Sequence, residues 1–218
     1  MYKICLGMAQ QGIKTSYMVL DGPFKAKVNE LIEAGYKAMT VSSFMLAYLC
    51  SFKEKKEIFG SHITTLDFIF SPLYGDNPSL ISDGMSILPY GTLIPNGKKT
   101  QRIFNLQKND YQVVDCQILS GHGLSLTHGL ESGLVKTLVP YDDVRKSFAE
   151  ALSENGVDSI DFAVGVYDGP ILDPVAIPIT MGIVGNRLVI SSEPNPERFG
   201  DSYQDRVVGT KLHLPDLF

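Results

Sequence analysis

Residues 24–52 read FKAKVNELIEAGYKAMTVSSFMLAYLCSF, and the reading of this stretch sets the fold class. Wound as a helix, Phe24 to Met39 places Phe24, Val28, Leu31, Ile32, Gly35 and Met39 on one face and turns Lys25, Lys27, Asn29, Glu30 and Glu33 toward water. Pro23 suits a first helical turn, because the N–H it lacks has no intrahelical partner there. Thr40, Ser42 and Ser43 offer oxygens to cap a second helix, Val41 to Phe52, which is apolar nearly all round. Two consecutive helices of this kind predict a pair buried against an apolar surface.

Outward from the pair the chain reads as strands. Tyr2 to Gly12 and Lys14 to Leu20 precede it, and His62 to Phe70 follows, with Thr64, Leu66, Phe68 and Phe70 as its more apolar side. Arg102 to Leu106 and Tyr111 to Leu119 read as a hairpin, Leu134 to Val139 as another strand, and Ile160, Phe162, Val164 and Val166 alternate cleanly. Ile179 to Val184 and Leu188 to Ser191 flank Gly185-Asn186, a tight-turn signal, and Val207 to Leu214 gives a last alternation. A third helix is expected over Tyr141 to Asn155, with Val144, Phe148, Ala151 and Leu152 inward, Asp142 and Asp143 capping its start and Asn155-Gly156 closing it. The expected fold is α+β: a mostly antiparallel β-sheet packed on a pair of consecutive helices, with a third helix in the C-terminal half, in one domain over residues 1–218.

The composition, 44% hydrophobic and 20% charged over 218 residues, is that of a chain able to bury a sizeable core. No apolar run nears the roughly 18 residues a bilayer crossing needs, and Met1 to Leu6 lacks the features of a secretory signal. Cys5, Cys50 and Cys116 are odd in number, widely spaced and without a C-x-x-C pair. Free thiols in a reducing, intracellular (cytoplasmic) setting are therefore expected, and a zinc site is not. The net charge of −5 is unevenly spread: residues 1–108 hold 12 Lys and Arg against 8 Asp and Glu, residues 109–218 hold 7 against 16. Such a division either reflects solvated faces or orients the molecule, toward copies of itself or toward an anionic membrane surface.

Ser71 to Lys99 carries Pro72, Pro78, Pro89 and Pro95 with no sustained period and reads as a long flexible loop. Its apolar doublets either tuck into the body or meet another chain, which makes Leu80, Ile81, Ile87 and Leu88 the candidate self-association residues. Lys53, Lys55, Lys56, Lys98, Lys99 and Arg102 form a candidate basic patch, or simply a solvated face.

The densest chemistry lies in GHGLSLTHG, residues 121–129, where glycines bracket two histidines and two hydroxyls. With His62-Ile63-Thr64 it gives an alternative catalytic set, His62, Thr64, His122 and His128, similar to that of two-histidine phosphoesterases. His122 has its hydroxyl at the third place, Ser125, and His128 has Leu130 where the hydroxyl belongs, so ordinary turn histidines remain the other reading. A dinucleotide fingerprint, a G-x-S-x-G elbow and a phosphate loop are absent from the sequence. Asp158 with Asp161, and Asp168 with Asp173, read as turn residues rather than metal ligands, and no metal or cofactor is expected.

Taken in order, Tyr17 to Gly22 leading into Pro23-Phe24, the helices through Met39 and Phe52, the loop Ser71 to Lys99, the later hairpins and the helix Tyr141 to Asn155 resemble the matrix proteins of rhabdoviruses. The resemblance implies a non-enzymatic, self-associating structural protein of the virion interior, which bridges a ribonucleoprotein and a membrane and assembles through the apolar loop. The family's Pro-Pro-x-Tyr motif is not present; Pro72-Leu73-Tyr74 and Pro140-Tyr141 are the nearest tracts. An acidic inhibitor or sequestering module, offering the C-terminal half to a basic partner, is the remaining alternative.

Overall fold

The computed structural model describes residues 14–51, 56–71, 79–81, 112–113, 120–164, 175–192 and 205–213. Two sheets organise them. In the smaller, β1 (Lys14–Gly22) pairs antiparallel with β10 (Asp205–His213) over nine positions, from Lys14 opposite His213 to Gly22 opposite Asp205. The short β2 (Lys37–Ala38) completes that sheet on the other side of β10. The larger sheet runs β5-β4-β3-β8-β9-β7-β6, with β3 at Ile63–Ser71, β4 at Ser79–Ile81, β5 at Gln112–Val113, β6 at Ser120–Ser125, β7 at Ser159–Val164, β8 at Val175–Val184 and β9 at Arg187–Ser192. Every pairing is antiparallel except β7 with β9. The expected α+β class with a mostly antiparallel sheet holds.

The first helix, α1 (Phe24–Glu33), ends six residues before the expected Met39. Gly35 stops it. With φ +76° it takes the left-handed conformation; its N–H donates to the Ile32 carbonyl, and that of Tyr36 donates to the Leu31 carbonyl, both at 2.8 Å. The chain thus freed forms β2 before α2 (Val41–Ser51) begins, so the two helices are consecutive in sequence but not continuous. Thr40 and Ser43 exchange hydrogen bonds at the start of α2, the capping expected from their side chains. A short α3 (Lys56–Phe59) follows.

The expected strand at Leu134 to Val139 is instead a helix, α5 (Gly133–Leu138), preceded by α4 (Leu126–Leu130). Ser125 and Ser132 cap them by accepting from the N–H of His128 and of Val135. Leu134, Val135 and Leu138 share one buried stripe, which is a helical and not a strand spacing. The third expected helix is α6 (Asp142–Ser153), with Val144, Phe148 and Leu152 fully buried. Asp142 and Asp143 lie in its first turn rather than at the cap, where their charge opposes the positive end of the helix dipole.

The helices cover one face of the large sheet. Ile63, Ile179, Met181, Leu188, Ile190, Ile160 and Phe162 form a core with residues of α2, α4, α5 and α6. Phe44, Tyr48, Phe59 and Phe148 meet edge to face, with ring centroids 5.2–6.3 Å apart. Arg145 of α6 is buried here too. Its guanidinium donates to the Val139 carbonyl at 2.6 Å and pairs with Asp142 and Glu131, so that α5 and α6 are tied by a satisfied cation.

Two further expectations change. Within 71–99, Ser79–Ile81 is a strand, with Leu80 opposite Ile69 and Ile81 opposite Phe68. Leu80 and Ile81 are thereby placed in the sheet, while Ile87 and Leu88 lie outside the described residues. Cys50 is disulfide-bonded, with a partner outside the described residues. It stands exposed at the far end of α2, and the expectation of free thiols does not hold for it.

Candidate functional site

The two sheets meet at an irregularity in β3. Thr64 pairs with Thr180 and Phe68 with Pro178, so four steps along β3 answer two along β8. Thr65, Leu66 and Asp67 are squeezed out of the regular ladder, and all five residues from Ile63 to Asp67 are buried. Each displaced group finds another partner. The Thr65 hydroxyl donates to the Ile179 carbonyl (2.8 Å), and the Leu66 N–H donates to the Met39 carbonyl (2.8 Å). The Asp67 carboxylate, 2% exposed, accepts from the Val41 N–H at 2.6 Å and so holds the first turn of α2 from across the chain.

In front of this junction lies a cleft of about 370 Å³. Asp67 and the start of α2 (Thr40, Ser42, Ser43) line one side, Thr137, Pro140 and Tyr141 another, and Lys37 and Thr210 of the small sheet a third. Four of its hydroxyls are already in use as donors. Those of Thr40 and Ser43 are engaged with each other and with the backbone, that of Thr137 donates to the Gly133 carbonyl, and that of Thr210 to the Lys37 carbonyl. Among the described residues, no histidine or cysteine lines the cleft. Its volume lies in the range of small-molecule sites.

The alternative catalytic set does not assemble. Thr64 is buried with its hydroxyl donated to Asp205 at 2.6 Å. His62 precedes β3, whereas His122 lies on β6, with β8, β9 and β7 between them. Four interstrand spacings amount to about 19 Å along the sheet. His128 is exposed on α4 and uses its backbone N–H on the Ser125 hydroxyl. The structure therefore contradicts the paired-histidine reading of His62, Thr64, His122 and His128. Of the basic residues, only Lys56 falls among the described ones, in α3; Lys53, Lys55, Lys98, Lys99 and Arg102 lie outside them.

His122, 80% exposed, has a carboxylate neighbour: its Nδ1 is 3.8 Å from Asp161. The Gly123 N–H, 2.6 Å away, holds the Asp161 carboxyl below the ordinary carboxylate range, and the Arg187 guanidinium at 3.2 Å adds to this. A carboxyl with a depressed folded-state pKa contributes stability above its unfolded value, near 3.9, and loses that contribution as pH falls through the folded value. Asp161→Asn is therefore expected to leave the melting temperature almost flat above about pH 5 and to soften its fall below about pH 4. Superimposable acid limbs for the two proteins, read by thermal melts, would remove Asp161 from the account. Asp158 instead bonds Ser159 and Asn186, as a turn residue does.

Asp67 and Tyr141 are the site residues that sequence reading passed over. A lone carboxylate between Leu66 and Phe68 was the available signal, since aspartate is depleted from strand interiors.

No family model and no curated protein matches the chain. A solved structure described as "Accommodation of massive sequence variation in Nanoarchaeota by the C-type lectin fold" superposes with a TM-score of 0.58 at 14% identity, covering 91% of this chain and 98% of that one. The likeness is one of fold: this chain shares the C-type lectin architecture. Among the described residues, no helix is long and apolar enough to cross a membrane.

Proposed function

We propose that this chain is a non-enzymatic protein that works by association, with its own copies and with charged macromolecular surfaces, on a lectin-like scaffold. The observation that carries the reading is the fate of the polar side chains. Thr64, Thr65, Asp67, Arg145 and Asp161 are engaged in holding strands, caps and helices, and among the described residues no histidine lines the cleft. Support also comes from the fold neighbour, described as accommodating massive sequence variation, since a framework that tolerates changing sequence suits a protein defined by its surface. The unequal charges of the two sequence halves favour association.

A matrix-type role, bridging ribonucleoprotein and membrane, is the finer form of this proposal. As to location, the disulfide at Cys50 suits an oxidising compartment better than the reducing interior expected from the sequence, although hyperthermophile cytosol also sustains such bonds. Sedimentation velocity across a concentration series, at low and high salt and with anionic vesicles, tests the reading. Association that grows with concentration and weakens with salt is expected. A strict monomer indifferent to all three variables would overturn it.

A further inference from the structure

We infer that Asn155-Gly156, at the closing turn of α6, is a site where the chain modifies itself, turning the asparagine into aspartate and isoaspartate at a rate set by opening of that turn. This goes beyond the associative role and does not depend on it. Of the three described asparagines, Asn29, Asn155 and Asn186, only Asn155 stands before a glycine. The order matters because an asparagine side chain can close a five-membered ring with the backbone nitrogen of the next residue. A glycine there carries no Cβ to obstruct the approach. Gly156 is exposed, and a Cβ built on it would meet nothing within 4 Å, so the glycine side of the pair is open.

In the reaction, hydroxide removes the Gly156 amide proton and the nitrogen attacks Asn155 Cγ. The N–Cγ bond forms, the Cγ–Nδ2 bond breaks, and Nδ2 leaves as ammonia with a proton from water, which restores the hydroxide. Water then opens the succinimide ring, at Cγ to give aspartate or at the backbone carbonyl to give isoaspartate. The turn opposes the first step at both reacting groups. The Gly156 N–H donates to the Ser153 carbonyl at 3.0 Å, and Asn155 Nδ2 donates to the Ala151 carbonyl at 2.6 Å. The Val157 N–H, donating to the Leu152 carbonyl at 3.0 Å, and the buried Val157 side chain pin the chain just beyond. Reaction therefore waits for local opening of the helix end. The product cannot return to the same arrangement. A carboxylate only accepts, so the bond to Ala151 is lost, and the new charge stands at the negative end of the helix dipole, close in sequence to Glu154 and Asp158.

The test follows the full chain in mildly alkaline buffer, folded and in urea. Peptide mapping reads aspartate and isoaspartate at position 155, and hydrogen exchange reads the Gly156 amide in the folded sample. Conversion in the folded chain is expected to be about 10- to 100-fold slower than in urea, equivalent to an opening free energy of about 1.4–2.8 kcal/mol. The protection factor of the Gly156 amide is expected to match that slowing, since one opening frees the same nitrogen for both reactions. Val157→Ala is expected to quicken exchange and conversion together in the folded protein and to change neither in urea. Should that variant fail to fold, the parent's own exchange and conversion rates still decide the matter. Equal conversion with and without urea, a folded Asn155 still intact after well over about 100 urea half-lives, or a Gly156 exchange rate unrelated to conversion would each overturn the proposal. The sedimentation result is independent of all three.

Discussion

Asp67→Ala is expected to cost about 2–4 kcal/mol, since a charge-assisted hydrogen bond contributes about 1.5–3 and a lost helix cap about 1. The substitution leaves the Val41 N–H buried beneath the strand junction with nothing to accept it. It also removes a carboxylate that ties the β3 irregularity to α2. In a chain of this size each kcal/mol shifts the melting temperature by about 2–4 °C, so a fall of roughly 5–15 °C is expected. Asp67→Asn retains an oxygen in place and is expected to cost about half as much, the difference being the charge of the acceptor. Both are read by urea denaturation. An alanine variant within about 0.5 kcal/mol of the parent, the range of neutral surface changes, would mean that α2 is held at its start by something else.

Gly129→Ala is the second large effect. Gly129 lies in α4 directly over β7, and a Cβ built there would stand 2.0 Å from Ile160 Cγ2 and 3.2 Å from Phe162 Cε2. Ile160 and Phe162 belong to the closed core and have little room to retreat. Alanine favours a helix by about 1 kcal/mol, but crowding of this depth outweighs that, and a net loss of about 2 kcal/mol is expected. A double-mutant cycle with Ile160→Ala separates the two causes. If the clash is responsible, the pair is less damaging than the sum of the singles by more than about 0.5 kcal/mol; strict additivity would place the cost elsewhere.

The sequence announced its local features and kept silent on the distant ones. Gly185-Asn186 between two apolar runs is a short-range signal, and β8 and β9 pair across it with Val184 opposite Arg187. Val144, Phe148 and Leu152, four apart, gave α6 in the same way. Leu134 to Val139 misled because a short apolar run fits a buried strand or a buried helix, and Ser132 as a cap was the overlooked arbiter. Gly35 was counted as part of a helical face although it is the residue that ends the helix. The candidate site was barely legible. Asp67 and Val41 stand 26 residues apart, and their pairing follows from a strand irregularity that no periodicity encodes. The parallel match of β7 with β9 was equally hidden, since nothing in either strand names its neighbour.

The pairing of β1 with β10 has a mechanical consequence. Lys14 and His213 face each other at one end of the ribbon, with Gly22 and Asp205 at the other. Tension applied through the residues before Lys14 and after His213 would load the hydrogen bonds one pair at a time, as a zipper is drawn, and not all nine together. The small sheet would open under modest force while the helix-covered sheet behind it stayed intact.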